Sequence, residues 1–114
     1  MKELIKDVEQ WGRDKGILDK ATVLTQFEKM IEETMELNEE IKSLYSGNLN
    51  SMDNLHMELG DVVVTAVILA KLAGTDIQTV LQKAYDKISK RTGKMINGTF
   101  YKSEDIDKDG KPKR

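Results

Sequence analysis

Five glutamates crowd residues 31–40, IEETMELNEE, and clustered carboxylates can do two kinds of work. On the outer face of a helix they are solvated charge; converging inside a bundle they hold a hard divalent cation, which takes oxygen ligands. Spacing separates the two. At about 100° per residue, Glu33 and Glu36 project within roughly 60° of each other, one turn apart, at the border of an apolar stripe. Glu40 falls in the same sector, whereas Glu32 and Glu39 turn away from it. A second pair, Glu58 and Asp61, shares a face by the same i, i+3 spacing. That face also carries Leu55, Val62, Leu69 and Leu72. Carboxylates aimed among packing residues are costly, because burial disfavours their charge and they repel each other. Lysine or arginine partners, or a bound cation, would offset them.

The elements that must position these acids follow from periodicity and punctuation. A first helix covers residues 2–15, with Leu4, Ile5, Val8 and Trp11 at helical spacing and Gly16 as its stop. A second begins after Asp19 or near Thr22 and runs to about Tyr45. Its apolar stripe is Leu24, Phe27, Ile31, Met35, Ile41 and Tyr45. The third starts at Ser51 or Asp53, both good caps, and reaches Ala73, with Gly74 just beyond its end. Thr75-Asp76-Ile77-Gln78 fits a capping box, so a fourth helix is expected from Asp76 to Arg91. Asn97-Gly98 can make a tight turn between MI and TFY.

If the second and third helices are antiparallel across the turn at 46–50, Glu33 and Asp61 both lie roughly 20 Å from it. Four carboxylates, Glu33, Glu36, Glu58 and Asp61, then converge. Oxygen-only ligands of that count suit Mg²⁺ or Mn²⁺, and Ca²⁺ less specifically. The third helix, VVVTAVILAKLA, is apolar nearly all round and must be covered on more than one side. A small monomer rarely encloses a helix, so a homodimer or homotetramer is expected. The expected fold is all-α: one four-helix, bundle-like oligomeric domain over residues 1–102. A short, irregular, charged tail over 103–114 is expected to be disordered.

Composition bounds the partners. The chain has 114 residues, a net charge of −2 and no cysteine. No global basic field favours nucleic acid or a membrane surface, and neither disulfides nor thiolate metal sites are possible. The N-terminus has no apolar signal region, and the longest apolar run is too short to span a bilayer. A cytoplasmic protein without nucleic-acid or membrane partners is expected. His56 is the one histidine, so the paired Glu-x-x-His of di-iron bundles is missing. Asp105–Gly110 matches only the first half of an EF-hand loop, without the closing glutamate.

The acids stand as Glu32-Glu33-Thr34-Met35-Glu36, a 21-residue spacer, then Glu58-Leu59-Gly60-Asp61. This resembles the EExxE…ExxD signature of the MazG-type all-α nucleoside triphosphate pyrophosphohydrolases, and the resemblance covers about residues 8–101. It implies cleavage between the α- and β-phosphates of an NTP or dNTP, giving the monophosphate and pyrophosphate. It also implies Mg²⁺ on Glu33, Glu36, Glu58 and Asp61, with Glu32 as outer ligand, second-metal ligand or water activator. Lys87 and Arg91 on the fourth helix, and Lys29, are expected phosphate contacts. Asp86 sits where relatives carry an Asn or Asp, in the metal shell or on the substrate. Trp11 either stacks on a nucleobase or packs in the core. Two other readings use the same scaffold: a non-catalytic nucleotide- or metal-binding regulator, and a structural assembly protein whose acids pair with Lys87 or Arg91.

Overall fold

The structure, a computed structural model, describes residues 1–113 and is mostly helical. The chain forms two compact units, Met1–Val80 and Leu81–Arg114. The first contains α1 (Lys2–Asp14), α2 (Ile17–Lys20), α3 (Val23–Tyr45) and α4 (Ser51–Leu72). Helix α5 (Ile77–Ile88) starts there and continues into the second unit. An antiparallel hairpin of β1 (Gly93–Ile96) and β2 (Thr99–Lys102) and a 3₁₀ turn at Ser103–Asp105 follow.

The single-turn helix α2 is absent from the sequence reading. Gly16, with a left-handed φ of 79°, ends α1 and opens this extra turn. The chain then extends at Ala21, and Thr22 starts α3 with a reciprocal box. The Thr25 N–H donates to Thr22 Oγ1 at 3.1 Å, and the Thr22 N–H donates to Thr25 Oγ1 at 2.9 Å. Helix α3 ends on Gly47 at φ 100°, where the Gly47 and Asn48 amides bond back to Leu44 and Ser43 carbonyls. Only glycine adopts that backbone cheaply. The same amide pattern ends α4 at Gly74.

Two caps differ from expectation. Asp76, not Thr75, caps α5, accepting the Thr79 N–H at 2.8 Å. Ser51 does not cap α4: it is 2% exposed, and its hydroxyl donates to Ser43 Oγ at 2.7 Å, tying α4 to α3. Helix α5 stops at Ile88 instead of Arg91.

Helices α3 and α4 are the principal packed pair. Ser43 meets Ser51, Glu33 meets Glu58, and the Gln26 amide donates to the Thr65 carbonyl at 3.2 Å. As one number falls the other rises, which is antiparallel register. The face of α3 turned to α4 carries Gln26, Met30, Glu33, Leu37, Glu40 and Leu44, all buried or half-buried. The expected apolar stripe lies on the opposite face: Leu24 is 66% and Ile31 46% exposed, with Phe27 and Met35 similar. The true core sits further along α4, at Thr65, Val67, Ile68 and Ala70, where α1 packs.

In the second unit Asn97 (φ 50°) and Gly98 (φ 84°) make the expected two-residue turn, whose positive φ values suit the strand twist. The register pairs Ile96 with Thr99 and Gly93 with Lys102. The described residues of the tail carry local bonds. Asp107 Oδ1 accepts the Asp109 and Lys111 amides, each at 2.9 Å, and Ile106 bridges to Pro112. An aspartate that folds its own turn supplies order that composition does not register. Arg114 lies outside the described residues.

Gly12 lies where α1 packs closely on α4, because an added Cβ would overlap Ile68 Cδ1. Ile68 is 1% exposed, so its Cδ1 can move aside only by disturbing packed neighbours. Gly12→Ala is therefore expected to destabilise the protein by about 1–3 kcal/mol in urea unfolding, despite alanine's better helix propensity. An unchanged or raised midpoint would show that the helices can part.

Candidate metal centre

Helix α3 turns Glu33 toward α4, and the register brings Glu58 level with it; Glu36 follows one turn along α3. One carboxylate oxygen from each of the three lies within 4.8 Å of the others. Glu33 is nearly enclosed, with 13% of its side chain exposed, Glu58 is half-buried and Glu36 opens to solvent. Glu33 Oε2 and Glu58 Oε2 are shielded from water, and among the described residues neither has a hydrogen-bond partner. Buried carboxylate oxygens without partners are rare, since an ionised group stripped of water is strongly disfavoured.

The electrostatics agree. Burial foremost, then the neighbouring Glu36 carboxylate, push the Glu33 carboxyl above the ordinary glutamate range. Lys29 pulls the other way: its Nζ lies 3.5 Å from Glu33 Oε1 and 3.4 Å from Glu32 Oε2. Lys29 is the one cation within ion-pair distance of the trio among the described residues, and it leaves both buried oxygens unpartnered. A structural role in which basic side chains neutralise the acids is thus incomplete. An all-oxygen trio in which two carboxylates each carry a buried, partnerless oxygen fits a hard divalent cation.

The other expected site residues fall elsewhere. Asp61 is exposed and outside the trio. The register explains it: Glu33 is level with Glu58, so Asp61 stands one turn further, level with Met30. Glu32 points outward and holds Lys29. Trp11 is half-exposed on α1. Asp86 is exposed and accepts from Gln82 Nε2 at 2.9 Å. Lys87 and Arg91 belong to the second unit. There they line a cavity of about 500 Å³ with Thr92, Lys102, Ser103 and Glu104.

Two features escape the sequence reading. Gln26, buried in the seam seven residues before Glu33, holds the α4 backbone beside the acids. The polar sequence 26, 33, 40 at heptad spacing is the signal that could have found it. Lys102 and Ser103 join Lys87 only through the hairpin, and counting outward from Asn97-Gly98 would have placed Lys102 opposite Gly93.

A family model for the MazG nucleotide pyrophosphohydrolase domain matches residues 21–96, a span that contains all five signature acids. An "uncharacterized 18.2 kDa protein in rep-hol intergenic region" of Haemophilus phage HP1 (strain HP1c1) is 35% identical over 83 residues. The match covers 73% of this chain and 46% of that protein, so the chain spans about half the length of this curated relative. No solved structure matches.

The strained trio has measurable consequences. Without divalent cation, Glu33→Gln is expected to stabilise the fold by about 1 kcal/mol, since the lost repulsion outweighs the exposed Lys29 pair. Because Glu33 binds its proton more tightly folded than unfolded, stability of the metal-free protein should fall as pH rises through the window above the ordinary glutamate value. Thermal melts in EDTA should show that slope in the parent chain and not in Glu33→Gln. Mg²⁺ should raise the melting temperature of the parent alone. A destabilised Glu33→Gln, or equal Mg²⁺ responses, would count against the trio as a metal centre.

Proposed function

Because the chain belongs to the MazG nucleotide pyrophosphohydrolase domain family, we propose that it hydrolyses a nucleoside triphosphate at the α–β anhydride, releasing the monophosphate and pyrophosphate. The observation that carries this reading is the pair of buried, partnerless oxygens on Glu33 and Glu58 beside Glu36. Mg²⁺, or Mn²⁺, is the proposed cofactor, held by these three with Asp61 completing the set from the next turn of α4. Bound there, it would neutralise phosphate oxygens and lower the pKa of the attacking water.

The chain's own residues do the rest. Glu33 and Glu58 are fixed by burial, so their oxygens need little reorganisation to converge. Lys29 pairs with Glu33 Oε1 and leaves Oε2 without a partner among the described residues. Glu36, open to solvent, is placed to take the proton as the water oxygen bonds to phosphorus and the bridging P–O bond breaks. Glu32, turned outward, serves as outer ligand, second ligand set or water activator. A triphosphate substrate and a cysteine-free chain suit a reducing cytoplasm.

Assembly belongs to the same proposal. Leu24, Phe27, Ile31 and Met35 form a stripe on α3 directly opposite the acids, and Leu59 and Val63 are half-exposed on α4. Exposed apolar side chains of this kind on a short chain support a homodimer, or a homotetramer. Sedimentation velocity should give a mass above one chain, and Ile31→Glu should shift it to the monomer; a monomeric parent chain would refute the assembly.

Incubation with a panel of NTPs and dNTPs plus Mg²⁺ tests the activity. Pyrophosphate, not orthophosphate, is the expected product, and Glu36→Gln should slow its release by about 100-fold or more. Orthophosphate release, or tight Mg²⁺-dependent nucleotide binding without product, would overturn the proposal; the latter would make the protein a regulator.

A further inference from the structure

The seam between α3 and α4 repeats every seven residues on both helices. Gln26, Glu33 and Glu40 mark it on α3, Ser51, Glu58 and Thr65 on α4, and all six are buried or half-buried. In the antiparallel pair Gln26 faces Thr65 and Glu33 faces Glu58, with seven residues between the two levels on either helix. Equal steps of about 10 Å carry the register set at the first level to the second unchanged. Such a polar repeat costs apolar burial and adds axial specificity, as a buried polar residue does in a coiled coil. Among the described residues two side-chain hydrogen bonds cross the seam. Ser51 Oγ donates to Ser43 Oγ at 2.7 Å beside the turn, where chain connection already fixes the height. Gln26 Nε2 donates to the Thr65 carbonyl at 3.2 Å at the far end, where no covalent link does. Gln26 is 7% exposed, so water competes little for that bond. The acceptor is main chain, because the Thr65 hydroxyl is taken by the Val62 carbonyl at 2.6 Å within α4. The bond therefore holds the helix itself and not a rotamer.

We propose that Gln26 is a positioning residue: through the Thr65 carbonyl it locks α4 at the height that levels Glu58 with Glu33, and thereby sets divalent-cation affinity without touching the cation. A slide of one turn, about 5.4 Å, exceeds the 4.8 Å within which the three carboxylate oxygens lie. Repulsion between the acids favours such a slide in the metal-free chain. The apolar contacts of Leu37 and Leu44 discriminate less between heights, because apolar burial is non-directional. The amide bond is directional and opposes the slide. Cation affinity depends on Gln26 only if the trio is the proposed metal centre, whereas the register depends on it in either case.

The test measures distance and affinity in the full chain. The sequence has no cysteine, so Glu28→Cys with Asp53→Cys, both at exposed positions, puts one spin label on α3 and one on α4. Labelled chain diluted into unlabelled chain reports the distance within one molecule, in EDTA. Gln26→Met keeps the side-chain length and removes the donor. It is expected to widen or displace that distance by roughly 1.5–5 Å, one residue to one turn. Its Mg²⁺ affinity by calorimetry should fall about ten-fold. Its melting temperature in EDTA should hold or rise, since the Thr65 carbonyl stays within α4 and an apolar side chain replaces a buried amide. Lower affinity at undiminished stability is a result that a merely structural glutamine does not produce. Gln26→Asn, a methylene short of the carbonyl, should show the same displacement, and Ser51→Ala should match the parent in distance and affinity. An unmoved distance in Gln26→Met overturns the lock. A moved distance with unchanged Mg²⁺ affinity, or affinity lost equally in Ser51→Ala or only in step with a lowered melting temperature, overturns its hold on the metal centre. A parent chain that binds no Mg²⁺ refutes the metal centre, and a displaced distance in Gln26→Met then still upholds the lock.

Discussion

Two water-free glutamate oxygens in the seam between α3 and α4 constrain the rest of the first unit. The seam is polar at three levels: Ser43 with Ser51 near the turn, Glu33 with Glu58 in the middle, Gln26 with the Thr65 carbonyl beyond. Hydrogen bonds satisfy the outer two levels, and the middle one is left open. A pair of helices joined this way gains less from apolar burial than an ordinary pair. What stabilises it must come from its flanks. Leu37 and Leu44 contribute within the seam, while Ile68 and Val67 carry the burial on the α1 side, where Gly12 lets the helices come close.

The orientation of α3 follows from the same constraint. A helix has one apolar stripe, and facing it toward α4 would carry the acids out to solvent. Here the acids face inward and the stripe faces out, so the intrachain packing runs against the hydrophobic pattern. That inversion is tolerable when a second surface covers the stripe. The candidate site and the proposed assembly are thereby linked: displacing the acids from the seam would turn the outer face, and uncovering the outer face would weaken the seam.

Much of this was legible before the structure, for identifiable reasons. The i, i+3 spacing of Glu33 with Glu36 and of Glu58 with Asp61, and a short turn between helices, were enough to bring the two helices' acids together. The register sets Asp61 one turn beyond the level of Glu33. The α3–α4 turn has its own cap, with Asn48 and Gly47 bonding back to Ser43 and Leu44, and this sets a register that midpoint counting misses. Periodicity shows which face of α3 is apolar but not what covers it. Composition averages over local bonds such as those of Asp107 in the tail. Asn97-Gly98 was read correctly, because a two-residue turn fixes its own backbone. Its long-range product, the cavity beside Lys102, needed the strand register as well.

A net charge of only −2 conceals a strong segregation. The trio of carboxylates is in the first unit, and the cavity's three cations are in the second. Chemistry on a polyanion needs both signs: carboxylates to hold a cation, and cations to hold the phosphates that carboxylates repel. Intermixed at short range they would neutralise each other as ion pairs, as Lys29 does with Glu32 and Glu33. Among the described residues Lys87 and Arg91 form no ion pair, and Glu33 Oε2 and Glu58 Oε2 have no hydrogen-bond partner; neither is expected in a chain selected for stability alone.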